Sequence, residues 1–572
     1  MRSSTFFTFV LLGLFGLSLH CGGPSWDFDF TSVSQCSTNQ ECEVILGTEP
    51  GLARCGGGIC QAYLPSPSGG TPPLRTCETT LQCNEEHAGR GDWACPYPKA
   101  RGCVQLSNDV CTVSRNWDRM VGGAPPVFVG AVLALDRRRG DGLPFPSPYD
   151  EDEMRGMSLA FEEWETQAGG ILMAGQAKPQ PIVVVTCNSK NDGRRIGRAL
   201  DHLEYIGAAS VVFSDEDDAK VARLRLANRK LTAICTGCDP MGLEGTTDPK
   251  VFYPTRPHYG ATVAPLVGEW LKETEGRVRS SGGPANGPNL RVLYLAPQTL
   301  VGTVQATSIA GGLSMNGAPA TAQPADYKRI DVPVTTPDLD ILASSVAAFQ
   351  PDVILTATGP ESLKDYVSRI ELAWHDGVPR PRYMLVSDAF AKNVIGVTVQ
   401  GNEDLRRRVT GFRTASAPEN DTVLAGFIER FKIRYGQEPL SASAYEASYL
   451  LGHAMVAMTN TRSFSGPLSA EALSRAFADV TDPASPRIIE TDPLGILDGT
   501  NFLRSAPQKP IRLRGAYSDF GWDTSRRAIT VDAVLYCPVV NDQGAIELRT
   551  AMRYRREAAA IEAPFDETTC GW

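Results

Sequence analysis

Val127-Phe128-Val129-Gly130-Ala131-Val132-Leu133-Ala134-Leu135 is the stretch that decides the fold. An apolar run of this length reads as a strand buried on both faces, the signature of a parallel sheet. A polar, Pro-rich stretch over 136–152 follows and reads as a loop. Met154, Met157, Phe161 and Trp164 then recur at helical spacing and lay one apolar stripe on a helix predicted over 154–167. Gly169-Gly170 ends that helix, and Ile182-Val183-Val184-Val185 opens the next buried strand. A strand, a crossover helix and a second strand of this kind close as a right-handed parallel unit.

Downstream the unit repeats. Strands are expected at 209–213, 231–235 and 251–253, with helical stripes over 194–206 and 219–228. A second series follows: a helix to Glu275, a Gly/Pro-rich loop over 280–288, and strands at 291–296, 327–332, 352–358, 383–387 and 409–413, with helices over 303–315, 339–349 and 361–373. Two successive doubly wound α/β lobes are the natural reading. Helices over 422–435 and 442–458 come next, the second apolar nearly all round and therefore buried. Beyond Pro510, Ile511 to Ala516, Gly521-Trp522-Asp523 and Val531 to Tyr536 read as a meander of edge strands.

Upstream the texture is that of delivery and tethering. Arg2 precedes an apolar run over 6–19, too short to span a bilayer and of the length of a signal-peptide core. Ser18-Leu19-His20-Cys21 resembles a loose bacterial lipoprotein signal, which implies export and lipidation of Cys21, although His20 departs from the usual small residue. The chain has fifteen cysteines, so a lipidated Cys21 leaves an even number to pair. Cys36, Cys42, Cys55 and Cys60 are echoed by Cys77, Cys83, Cys95 and Cys103, each set opening with a Cys-x5-Cys spacing. The Pro65 to Pro73 stretch between them is linker chemistry. Two small disulfide-stapled modules fit this better than zinc, which needs close Cys-x2-Cys pairs and a reducing compartment. The resulting plan is a signal peptide over 1–20, Cys-rich modules and linker over 21–120, first-lobe segments over 125–256 and 414–490, second-lobe residues over 257–413, and closing strands over 491–572.

Several stretches resemble the type I periplasmic substrate-binding proteins, in particular the leucine/isoleucine/valine-binding branch. They are Gly169-Gly170-Ile171, Val251-Phe252-Tyr253-Pro254-Thr255, Leu290 to Leu295, Phe349-Gln350-Pro351-Asp352-Val353-Ile354-Leu355 and Phe431-Lys432-Ile433-Arg434-Tyr435-Gly436, with Tyr445-Glu446-Ala447 downstream. Their order over about residues 125–540, more than any one motif, carries the likeness. The Cys-rich segment has no counterpart in that family.

The resemblance implies a ligand enclosed between two hinged lobes, beyond the carboxyl ends of the strands. The residues just after each strand are then the candidates: Asp136, Arg137, Ser214, Asp215, Thr236 and Gly237 in the first lobe, and Gln298, Thr358, Gly359 and Asp388 in the second. In the amino-acid-binding relatives, hydroxyls and backbone N–H groups after the third and fourth strands hold the ligand's carboxylate. Here Ser214 is followed by four acids, Asp215 to Asp218, which read as the start of a helix or, more sharply, as a preference for cationic or polar neutral ligands. Cys235 and Cys238 read as a structural bridge, internal or shared with Cys187, and Cys537 with Cys570 as a bridge that ties down the tail.

Other function classes find little support. The net charge of −10 and the absence of a basic stripe argue against nucleic acid. The six histidines never occur together, and no zinc-protease, nucleophile-elbow or phosphate-loop motif is present, so no catalytic residue, metal or cofactor is expected. The expected protein is an exported, lipid-anchored solute receptor of the cell envelope, taking an amino acid or amide for a membrane transporter or a sensor. The alternative is a lipoprotein of the same fold that regulates an envelope enzyme by binding it.

Overall fold

The computed structural model describes residues 53–56, 59–62, 77–88, 92–96, 102–113, 124–138, 144–172, 178–226, 231–238, 252–254, 259–298, 300–333, 338–357, 360–386, 392–413, 422–460, 470–505, 510–516, 519–523, 528–530, 532–555, 560–563 and 565–570. The chain forms two compact units, Met1–Pro73 and Leu74–Trp572. Of the first, a hairpin of Ala53–Gly56 with Ile59–Ala62 is described, in which Cys55 faces Cys60 across the strands. Cys21, Cys36 and Cys42 lie outside the described residues.

The second unit holds two parallel sheets. In the first lobe, β1 (Cys111–Val113), β2 (Val127–Leu133), β3 (Ile182–Asn188), β4 (Ser210–Phe213), β5 (Thr232–Cys235) and β6 (Phe252–Pro254) lie in the order β6-β5-β4-β2-β3-β1. All neighbours are parallel except β1, which runs antiparallel to β3. Pleating sends Val127, Val129, Ala131 and Leu133 into one core and Phe128 and Val132 into the other. α1 (Pro148–Ala168) covers the first face, and α2 (Gly193–Ile206) and α3 (Glu216–Leu226) cover the second. Gly130 lets α2 pack close, because a β-carbon on it would press on the Leu203 side chain.

After α4 (Tyr259–Ser280) the second lobe repeats the plan with β7 (Val292–Pro297), α5 (Leu300–Gly312), β8 (Tyr327–Val332), α6 (Leu339–Phe349), β9 (Val353–Thr356), α7 (Pro360–Ala373), β10 (Arg382–Leu385), α8 (Lys392–Val399), α9 (Glu403–Arg408) and β11 (Val409–Arg413). Its parallel strands are ordered β8-β7-β9-β10-β11. Counted from its own first strand, each lobe therefore has the order 2-1-3-4-5. α10 (Thr422–Tyr435), α11 (Ser443–Asn460), α12 (Ala470–Val480) and α13 (Pro493–Ser505) return to the core that α1 occupies.

The end of the chain departs from the expected meander. β12 (Ile488–Glu490), β13 (Arg512–Arg514), β14 (Asp519–Asp523) and β15 (Ala528–Thr530) form a separate sheet whose Ile489, Leu513 and Phe520 join the first lobe's core. β16 (Ala533–Val540), β17 (Ile546–Arg555) and β18 (Ala560–Ala563) extend the second lobe's sheet antiparallel from β11. β16 is thus an interior strand, and Val534 to Cys537 are buried accordingly. The chain crosses between the two cores three times, after β6, after β11 and after β15.

Three further readings change. The 136–152 loop is a hairpin, Asp136–Arg138 with Pro144–Pro146, followed at once by α1. Ser147 caps that helix and Pro148 occupies its first position, so Asp150 to Glu153 lie in its opening turns. α4 continues five residues past Glu275, with Pro265 inside it. β1 falls within the 21–120 stretch read as Cys-rich modules and linker, yet Cys111 pairs with Cys187 and attaches the strand to the first lobe. Leu106 and Val110 share that lobe's core.

The remaining bridges among the described residues are Cys77–Cys95, Cys83–Cys103, Cys235–Cys238 and Cys537–Cys570. The second Cys-rich set therefore pairs first with third and second with fourth, a connectivity that spacing alone leaves open. No helix among the described residues is long and apolar enough to cross a membrane.

Candidate functional site

In a 2-1-3-4-5 sheet the connections from the first and third strands leave toward opposite faces, and the crevice between their carboxyl ends receives ligands. In the first lobe that crevice lies between β2 and β4, where Val132 pairs with Phe213. The side chains that meet there are Ser214, just past β4, and Asp150, on the first turn of α1. Ser214 Oγ donates to Asp150 Oδ1, and both residues are buried. A hydroxyl is thereby committed to an acid of its own lobe.

The neighbouring strand ends are similarly engaged. Thr236, just past β5, is buried, and its backbone N–H (2.8 Å) and Oγ1 (3.1 Å) both donate to Phe213 O. Gly237 presses against Ser214, whose carbonyl oxygen leaves no room for a β-carbon there. The Cys235–Cys238 bridge closes this turn on itself. Asp215 Oδ1 accepts from the N–H groups of Asp217 (2.9 Å) and Asp218 (3.2 Å), so it caps α3. Glu216 and Asp218 are buried in that helix's first turn, where its dipole favours negative charge. The helix-start reading of the acids thus matches their placement.

Past β2 and β3 lies a second polar group. Asn188 Nδ2 donates to Asp136 Oδ2 at 2.8 Å, and Lys190 Nζ lies 3.4 Å from the same oxygen. Ser189 Oγ donates to Leu133 O, and Asn191 Nδ2 donates to Asp218 Oδ1 at 3.3 Å, which ties this loop to α3. Of Arg137 only the backbone is described, paired with Phe145.

In the second lobe Gln298 is exposed at the corresponding end of β7, its N–H bonded to Val332 O at 2.8 Å. Thr358, Gly359 and Asp388 fall outside the described residues. The structure therefore brings Ser214, Asp215, Thr236 and Gly237 together, and places Asp136 in a neighbouring group with Asn188 and Lys190. Sequence reasoning missed Asp150, Asn188, Lys190 and Asn191. Asn188 ends β3, and Lys190 and Asn191 follow it, so the rule that selected residues after the other strands points to this end too.

Among the described residues, side chains near enough to share a metal ion occur at Cys77, Cys83 and Cys103 and at Glu86, His87 and Cys103. Each of these cysteines is oxidised in a disulfide, which removes its thiolate. A groove of about 400 Å³ lined by Pro265, Glu269, Lys272 and Met315 lies where α5 terminates, at the opposite end of the second lobe from Gln298.

The fold is that of the type I periplasmic solute-binding proteins. No protein-family profile matches the chain, and no curated protein matches it. Among solved structures it is similar to a solute-binding protein of an ABC transporter from Rhodopseudomonas palustris BisB5, determined with 3,4-dihydroxybenzoic acid (TM-score 0.52, 12% identity, 77% of this chain and 99% of that one). It is also similar to the branched-chain amino acid transporter substrate-binding protein LivJ of Streptococcus pneumoniae, determined with isoleucine (0.50, 12%, 74% and 99%). A fatty acid ABC transporter substrate-binding protein from Thermomonospora curvata gives 0.51 at 12% identity over 77% and 96%. At such identities the likeness concerns the fold.

Proposed function

We propose that the chain is an exported solute-binding receptor that captures a small polar molecule between its two lobes and delivers it to a membrane transporter or a sensor. The observation that carries this reading is the paired 2-1-3-4-5 order, linked by three crossings. Two lobes so joined can turn their crevices toward one another and close by a hinge. The neighbours described above support it, since two of them were determined with a small molecule bound. The ligand is expected to be an amino acid or amide. The mature chain is expected to begin at a lipidated Cys21, placing the receptor at the cell envelope.

A thermal-shift panel of amino acids, amides and small organic acids tests the reading. A ligand present at a hundred times its dissociation constant stabilises the folded state by about 2.7 kcal/mol. One or more members raising the melting temperature is the expected result. A flat response across the panel, together with capture of an envelope enzyme by the purified protein, would move the assignment to a protein-binding regulator. Intact-mass analysis of membrane-extracted protein is expected to show diacylglyceryl mass on Cys21, and a soluble chain cut elsewhere removes the anchor.

A further inference from the structure

Four described residues other than glycine have a left-handed backbone: Lys190 (φ 53°), Asn191 (φ 53°), Asn316 (φ 50°) and Gln350 (φ 49°). Two have ordinary reasons. Asn316 sits in the two-residue turn between Ser314–Met315 and Ala318–Pro319, and Gln350 caps α6. Lys190 and Asn191 are consecutive, and Asp192 N–H donates to Ser189 O across them at 3.0 Å. This is the pattern of a type I′ turn, which belongs to hairpins and favours Asn-Gly. Here it joins a strand to a helix, at the ligand end of the sheet, and its first central position carries a lysine. The β-carbon of an L-residue is crowded against its own carbonyl there, so the backbone is strained.

Neighbouring side chains hold that strain in place. Asn188 Oδ1 accepts the Lys190 N–H at 3.3 Å, and Ser189 Oγ accepts the Asn191 N–H at 3.2 Å. The result is to aim Lys190 at Asp136, 3.4 Å away, with both side chains still partly exposed (33% and 42%). Strain maintained at such a place is a pointer to function.

We propose, on the solute-binding reading above, that Asp136 and Lys190 are the specificity-determining pair of the first lobe. They read a neutral group that presents a hydrogen-bond acceptor and a donor side by side, of which a primary carboxamide is the simplest. The ammonium donates to the amide oxygen, and the carboxylate accepts an amide N–H. A carboxylate ligand satisfies Lys190 and is repelled by Asp136; an ammonium ligand does the reverse. An amide meets both without leaving either charge uncompensated.

Matched amide and acid pairs test this: benzamide with benzoate, nicotinamide with nicotinate, L-glutamine with L-glutamate and L-asparagine with L-aspartate. Each is titrated against the full chain by thermal shift and calorimetry. At least one amide is expected to bind ten-fold or more tightly than its acid. Asp136→Ala and Lys190→Met are each expected to weaken that amide at least ten-fold. Lys190→Gly separates an aimed side chain from a merely structural turn: it relieves the backbone, so the unliganded melting temperature holds or rises while affinity for the amide falls. Acids binding as well as their amides, or an amide unaffected by all three substitutions, overturns the pair while the receptor reading stands. The same holds if none of the pairs binds but another panel member does. Silence from the whole panel overturns the pair, and joined to capture of an envelope enzyme it overturns the receptor reading as well.

Discussion

In the first lobe the five-stranded parallel core gains a single antiparallel strand, β1, beside β3; in the second the same core gains three, β16 to β18, beside β11. Each addition comes from outside the alternating series, one from upstream and one from the end of the chain. A disulfide staples each: Cys111–Cys187 joins β1 to β3, and Cys537–Cys570 joins β16 to the short helix after β18. The core is thus set by parallel strands buried between helices, whereas the edges are recruited and then fixed covalently. An antiparallel edge strand needs no crossover helix of its own.

The largest expected effects lie in those staples. The bridge closing 76 residues in the first lobe limits the unfolded chain more than the one closing 33 in the second. Loop entropy sets ceilings of about 4.5 and about 3.7 kcal/mol respectively. Urea unfolding of a Cys111→Ala/Cys187→Ala variant is therefore expected to show the greater loss, with amide exchange rising along β3. Equal or reversed losses for a Cys537→Ala/Cys570→Ala variant would break the comparison, by showing that β16, already interior, depends on its staple as much as β1 does.

The strand ends offer a sharper contrast at smaller cost. Ser214→Ala removes a donor from the buried carboxylate of Asp150, at a cost of about 1–3 kcal/mol. Gln298→Ala, at the matching end of the second lobe, truncates an exposed side chain and is expected to stay within about 0.5 kcal/mol of wild type. Comparable costs at the two positions would mean that Ser214 is not structurally committed, and would return its hydroxyl to the list of ligand donors.

Legibility in the sequence followed the same division. Val127 to Leu135 and Ile182 to Val185 announce themselves because a strand buried on both faces leaves a continuous apolar run. β1 is only Cys-Thr-Val, and nothing local distinguishes it from a linker; its partner is set by a bridge to a residue far along the chain. β16 was legible as a strand but its place was not, since an interior antiparallel position and an edge position share one local pattern. The candidate site was legible as a row of strand ends. What those ends do was not: that Thr236 turns its hydroxyl to Phe213 O, or that Lys190 sits in a left-handed turn, depends on neighbours across the sheet.

Acid should separate the lobes by the smallest margin. His202 on α2 and His453 on α11 are both buried, and both belong to the first lobe; the second lobe's His375 is exposed. Burial pushes both imidazoles below the ordinary value of 6.5, although carbonyl contacts to Leu106 O for His202, and to Tyr449 O and Gly495 O for His453, act the other way. The folded state thus keeps these rings neutral, while the unfolded state takes up protons as the pH drops below about 6.5. Stability from this source is complete above that pH and is lost as the pH falls toward the depressed folded values. The slope is at most about 1.4 kcal/mol per pH unit for each histidine. Amide exchange at pH 5.5 against pH 7.5 is expected to show protection falling in α2 and α11 more than in α5 and α7. His202→Gln should flatten part of that difference, because glutamine can keep a donor toward Leu106 O without titrating. Uniform loss across both lobes, or no change in the variant, would assign acid sensitivity to groups other than these two rings.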